Sequence, residues 1–227
     1  MRRLPAGVRE NGLSIAFGLL FVAALVAQSV AGWHDHNNLQ VADGRATAGY
    51  AEYVTSADFA VDVVENWQSE YLQFLLYIWV TVWLVQRGSP ESKELGKEGS
   101  ESDKDQKVLQ YADEKSPRWA RVGGWRTSVF SHSLCLTMGA LFMGSWVAQA
   151  VAGRAAFNQE QLGRLEDPYS LTQYVGSADF WNRSLQNWQS EFLAVGSMSV
   201  LAIFLRQRGS PESKPVGAPH ESTGVSG

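Results

Sequence analysis

The chain has 227 residues, and 19 Lys and Arg against 23 Asp and Glu leave a net charge of −4, which speaks against a nucleic-acid partner. One cysteine, Cys135, excludes a disulfide framework and a cysteine-based metal site. Near-average composition conceals long apolar blocks, and nine Trp with seven Tyr are aromatics of the kind that gather at membrane interfaces.

Residues 1–12 carry Arg2, Arg3 and Arg9 and read as a cytoplasmic N-terminus. Leu13 to Trp33 then runs for 21 residues without a charge. About 20 apolar residues in a helix span the hydrocarbon core, so a transmembrane helix is expected at about 13–33. A cleaved leader has the same look: basic start, apolar middle, small residues near the end. Ser133 to Gly153 repeats the pattern in mid-chain, where no leader can sit, and this favours a retained helix.

Residues 34–55 are polar and read as an outer loop. His34, Asp35 and His36 are of ligand type, but the matching positions are Ala155, Ala156 and Phe157, so two solvated histidines and no metal are expected. Thr55-Ser56-Ala57-Asp58 looks like a helix start at about 56, with a hydroxyl to cap free amides and an acid on the positive end of the dipole. The membrane part of this helix is expected at about 66–85, with Trp67 at the headgroups and Glu70 about one turn inside.

Gln86-Arg87-Gly88-Ser89-Pro90 stops that helix, with Gly suited to a left-handed cap and Pro unable to continue. Residues 94–131 alternate charges and then turn basic and aromatic at Arg118, Trp119, Arg121, Trp125 and Arg126. They are expected to be a solvated, disordered cytoplasmic linker with a lead-in suited to an anionic membrane surface. Spans at about 133–153 and 187–205 follow, and residues 215–227 read as a disordered tail.

A shift of 121 residues organises all of this. Asn66-Trp67-Gln68-Ser69-Glu70 returns as Asn187-Trp188-Gln189-Ser190-Glu191, and Gln86 to Lys93 returns whole as Gln207 to Lys214. Between residues 11–93 and 132–214, 33 of 83 ungapped pairs are identical. Residues 13–93 and 132–214 are therefore two copies of one unit. The N-terminus, linker and C-terminal tail hold 15 Lys and Arg against 4 in the two outer loops, which places both termini in the cytoplasm. The expectation is an all-α integral membrane protein of four transmembrane helices, built as two parallel-repeat helical hairpins. It is a multi-pass protein of the cell membrane, its surroundings the lipid bilayer.

Two sets of residues stand out. Gln28, Glu70, Gln149 and Glu191 are expected near one depth in the outer leaflet, where ionisable groups need a partner, a cavity or water. Asn66, Glu70, Gln73 and Tyr77 share a helix face; the matching Asn187, Glu191, Ala194 and Met198 keep its polarity only at the outer end. These carboxylates either lock the hairpins together, lie exposed at the headgroups, or bind a proton or cation. The second set is the repeated cytoplasmic motif: Arg87, Ser89, Glu91 and Lys93, and Arg208, Ser210, Glu212 and Lys214. A helix stop needs only the Gly and Pro, so either a partner reads this segment twice or each copy folds back on its own hairpin. Helices one and three also share a stripe of small residues, Ala23, Ala27, Ala31 and Gly144, Ala148, Ala152, suited to close helix packing.

No nucleophile–base pair, phosphate loop or zinc spacing is present, so neither an enzyme nor a cofactor is expected. The two Asn-Trp-Gln-Ser-Glu and two Gln-Arg-Gly-Ser-Pro-Glu-Ser-Lys segments resemble a family of small bacterial four-helix membrane proteins known only as a domain of unknown function. The resemblance runs from Asn11 to Lys214 and implies a cytoplasmic-membrane protein without implying an activity. The leading expectation is a structural or interaction protein, with a second copy of itself or a cytoplasmic protein as partner. The alternative is a small proton- or cation-linked transporter or channel using Glu70 and Glu191.

Overall fold

The computed structural model describes residues 6–226, so Arg2 and Arg3 lie outside the described residues. Every regular element among the described residues is helical: α1 (Ala6–Glu10), α2 (Gly12–Ala42), α3 (Tyr50–Val54), α4 (Ala57–Val80), α5 (Arg118–Arg121), α6 (Gly124–Ser131), α7 (Ser133–Gly163), α8 (Leu171–Val175), α9 (Ala178–Phe204), and a 3-10 turn at Leu109–Tyr111. Two of them, α2 and α7, are long and apolar enough to cross a membrane. The described chain groups into two compact units. One holds the residues up to Val63 with Ala155–Pro168, and the other holds Val64–Arg154 with the residues from Tyr169 onward.

In the first unit α2 runs past Trp33, so residues 34–42, read above as loop, are helical. No Gly or Pro interrupts them, and polar side chains are compatible with a helix once it has left an apolar layer. The end is a Schellman closure: Gly44 N donates to Val41 O at 3.1 Å and Arg45 N to Gln40 O at 2.8 Å, with Gly44 at φ +69°. In the same way α7 extends to Gly163. It closes with Leu165 N on Leu162 O and Glu166 N on Gln161 O, and here Leu165 occupies the left-handed position at φ +60°.

α3 is seated on α2 by a short set of contacts. The Trp33 indole donates to Ala48 O at 2.8 Å, and Asn37 holds the same residue from both sides, accepting from its N–H and donating to its carbonyl. Ser29 donates to Val26 O at 2.8 Å, so the 2.8 Å bond between Ser29 and Tyr50 is donated by the tyrosine. Tyr53 is buried with its hydroxyl against Gly32, where a Cβ would overlap it. Burial, followed by the charges of Asp62, Asp58 and Asp35, pushes its pKa up. α4 starts with Ser56 accepting from Phe59 N at 3.2 Å.

The second unit repeats this corner 121 residues on. Ser177 accepts from Phe180 N, and Tyr174 lies fully buried with its hydroxyl against Gly153. It donates to Asp179 at 2.8 Å. Both tyrosines pack on the following phenylalanine, Phe59 at 5.5 Å and Phe180 at 5.8 Å. The identical Gly, Tyr, Ser, Asp and Phe of the two copies thus form one small packing device.

Three segments of the second unit depart from expectation. α4 ends at Val80 rather than 85: Thr81 turns its hydroxyl onto Tyr77 O at 2.6 Å, and Val82 and Trp83 donate to carbonyls three residues back, so the last turn tightens. The charged linker, expected to be disordered, adopts local turns closed by its own side chains, such as Ser102 on Asp105 at 2.6 Å and Asp113 N on Ser116. Its basic, aromatic end is α5 and α6, tied by Thr127, which donates to Trp119 O and accepts from Gly123 N. The tail beyond Lys214 is also seated, on the motif described next.

Candidate functional site

Both motif copies build the same turn from the same atoms. Ser92 accepts from Gln86 N at 2.8 Å, and Ser213 from Gln207 N at 2.9 Å. Ser89 accepts from Glu91 N and Ser210 from Glu212 N. Gly88 and Gly209 turn the chain at φ +86° and +82°, a region that favours glycine. Ser89, Ser92, Ser213 and Lys214 are buried, whereas Arg87, Glu91, Arg208 and Glu212 are exposed and Lys93 and Ser210 are half-buried. The motif therefore divides into an inward Ser-Ser-Lys set and an outward Arg-Glu set.

The copies join through Lys214. Its ammonium donates across to Gly88 O at 2.6 Å and back to His220 O at 2.7 Å, with Pro219 O and Ser222 O at 3.3 Å. Burial and the Arg206 charge push its pKa down, and the four carbonyl oxygens favour the charged donor. Lys93 reaches Gly99 O at 2.9 Å and Glu101 at 3.2 Å, both in the segment that follows its own copy. The tail closes over the first copy, with Gly88 N on the Thr223 hydroxyl at 2.9 Å and Gly224 N on Ser89 O at 3.0 Å. Outside, Glu212 hydrogen-bonds Glu91, and that bond and the Glu91 charge raise the Glu212 pKa.

The two copies of the turn respond differently to one methyl group. A Cβ at Gly88 would sit 2.6 Å from His220 O, whereas one at Gly209 meets nothing within 4 Å. Gly209→Ala is expected to cost only the left-handed backbone, about 1 kcal/mol. Gly88→Ala is expected to cost at least about 2 kcal/mol more as the tail is displaced. Thermal unfolding of the two variants with protease sensitivity of the tail checks this; equal losses would refute the contact.

The Asn-Trp-Gln-Ser-Glu copies also meet. The Trp188 indole donates to Gln68 Oε1 at 2.7 Å, linking α9 to α4. Trp146 of α7 donates to Ser184 at 3.2 Å, and Gln149 reaches the same oxygen at 3.5 Å. Gln68 and Gln149 are fully buried. Among the described residues Gln68 Nε2 and Gln149 Oε1 have no partner. At the outer end Arg183 pairs with Glu65 at 3.1 Å and Asp179 at 3.4 Å.

The four polar residues expected at one depth separate into different roles. Gln28 is exposed in the first unit while its neighbour Ser29 is buried. Gln149 joins the tryptophan cluster. Glu70 is exposed and Glu191 half-buried, and they come within electrostatic range of each other. The residues that link the helices are Gln68, Trp188, Trp146 and Ser184. Gln68 and Trp188 lie in the repeated Asn-Trp-Gln-Ser-Glu segment, but uncharged residues stand out less than carboxylates; Trp146 and Ser184 have Leu25 and Val63 at the matching positions and carry no repeat signal. His36 contacts Asp58 at 3.5 Å, and no cluster of three His, Cys, Asp or Glu suited to a metal occurs among the described residues.

No curated protein and no solved structure matches the chain. The family model described as a domain of unknown function (DUF6766) matches residues 4–225. The chain belongs to that family.

Proposed function

We propose that this is a multi-pass protein of the cell membrane that acts as a non-enzymatic structural or interaction protein, with the joined motif turns as its cytoplasmic docking platform. The observation that carries this is the division of the motif. Inward serines close each turn and Lys214 joins the two copies, while Arg87, Arg208, Glu91 and Glu212 are left outward on one ordered lobe.

Membrane residence is supported by an inverted burial pattern. Buried residues are more often polar than apolar, while Leu19, Leu20, Val22 and Val26 of α2 and Leu134, Leu136, Val147 and Val151 of α7 are exposed. In water, contiguous apolar exposure on this scale is unfavourable. In lipid it is the solvated surface, and interhelical hydrogen bonds such as Trp188 on Gln68 hold helices together. In this reading α4 and α9 are the second and fourth spans, about 36 and 40 Å long. The excess of basic residues in the linker and termini supports a cytoplasmic lobe. Trp119, Trp125 and Arg126 at α5 and α6 suit the inner headgroups.

The test is Arg87→Glu with Arg208→Glu, cross-linked in cells and purified beside wild type. Loss of cross-linked partners with an unchanged unfolding temperature is expected, because neither arginine is buried. An unchanged partner set would sink the reading. Ion transport at Glu70 and Glu191 is the second reading. The electrostatic proximity of the two carboxylates favours it; the exposure of Glu70 weakens it.

A further inference from the structure

The second unit contains a cleft that opens beside Glu91 and Glu212 of the outward motif set. It lies between the inner halves of α4 and α9 and beneath the first motif turn. Its larger part, ≈ 440 Å³, is walled by Leu76, Val80, Phe192 and Val195, with Tyr77 and Glu91 among its polar lining. A second part of ≈ 300 Å³ shares Gln73, Tyr77, Glu91, Val195 and Ser199 with it. A mostly apolar space of this size with a few convergent polar groups is the form of a small-molecule site.

Charge selects the occupant. Glu91 is the one charged residue lining either part, among the described residues. It accepts a hydrogen bond from the Tyr77 hydroxyl of α4, and Glu212 of the second motif copy stands on its other side. Two carboxylates at the mouth repel an anion, and the apolar walls offer nothing to a small hydrated ion. A body that is both apolar and positive satisfies walls and mouth together, and the Tyr77 and Phe192 rings add attraction for a cation.

We propose that this cleft binds a lipophilic organic cation, its charge at Glu91 beside Tyr77 and its apolar body against Leu76, Val80, Phe192 and Val195. A proton on the Glu91–Glu212 pair competes with such a cation. Glu212 holds its proton to higher pH than an ordinary glutamate. Affinity is therefore expected to rise as pH rises from 5 to 8, as the pair gives up that proton.

The probe is tetraphenylphosphonium, measured by equilibrium dialysis against the full chain in an uncharged detergent. Saturable binding is expected. Glu91→Gln is expected to weaken it by about tenfold or more through loss of the charge. Val195→Trp, which fills the cleft and leaves the Glu91 charge in place, should do the same. Tetraphenylborate has the same body with the opposite charge and is expected not to bind. Should Glu91→Gln fail to fold, the exposed Glu212→Gln carries the charge test. The proposal is overturned by any of four results: no saturable binding of the phosphonium, full affinity in Glu91→Gln or Val195→Trp, equal binding of tetraphenylborate, or an affinity independent of pH.

Discussion

Lys214→Met is expected to unseat the C-terminal tail, whereas Lys93→Met at the matching position of the first copy leaves the lobe closed. The lysines are identical in sequence context but not in surroundings. Lys214 is 1% exposed and serves four carbonyl oxygens, one of them on the other copy of the motif. Methionine keeps the apolar stem and removes every donor, so buried carbonyls lose their partner. Hydrogen bonds to a charged group contribute about 1.5–3 kcal/mol each, not additively, so a loss of about 3 kcal/mol in the lobe is expected. Lys93 is half-buried and pairs with a partly exposed Glu101, a contact worth about 1 kcal/mol or less. Hydrogen exchange reads the difference. The amides of Gly88 and Gly224, bonded to Thr223 and Ser89, should lose protection in Lys214→Met and keep it in Lys93→Met. Equal protection in both would show that Lys214 does not hold the tail.

The second large effect lies where the copies agree most closely. Gly153→Ala is expected to destabilise the second unit by about 3 kcal/mol, at the upper end of overpacking costs. The added methyl would overlap the Tyr174 hydroxyl and stand 3.0 Å from its ring carbon Cζ. Tyr174 cannot yield, because it is fully buried, hydrogen-bonded to Asp179, and packed edge-on against Phe180. Tyr174→Phe removes the overlapping oxygen together with the Asp179 bond, at about 1 kcal/mol. The double variant should therefore be more stable than the sum of the two losses by about 1–2 kcal/mol. Gly32→Ala and Tyr53→Phe give the same test in the first unit. Strict additivity in both pairs would mean that the glycine is not kept small by the tyrosine.

Much of this molecule can be read from its residues in order. The 121-residue shift, the two long apolar helices, the Ser-Ala-Asp helix starts and the glycine turns after Gln86 and Gln207 all rest on local chemistry. Helix periodicity, cap hydroxyls and left-handed glycines act within a few residues, so a linear reading finds them. The helix ends beyond Trp33 and Arg154 were harder, because a polar stretch is compatible with both loop and helix. There the closures at Gly44 and Leu165 decide.

What the repeat could not reveal is which copy of each identical residue turns inward. Gln68 is fully buried and bonded to Trp188, while its copy Gln189 is not among the buried residues. Lys214 crosses to Gly88 while Lys93 stays at the edge. Gln149 enters the tryptophan cluster while Gln28 lies exposed. Identical local sequence supplies identical local geometry, and it does so here in both turns and both tyrosine corners. Burial depends on neighbours distant in the chain, such as Ser184 for Gln149 and Gly88 for Lys214, and those neighbours differ between the copies. The duplication and the helices were thus determined by the sequence by itself. The choice of which repeated residues hold the fold and which remain free to bind belonged to the tertiary structure.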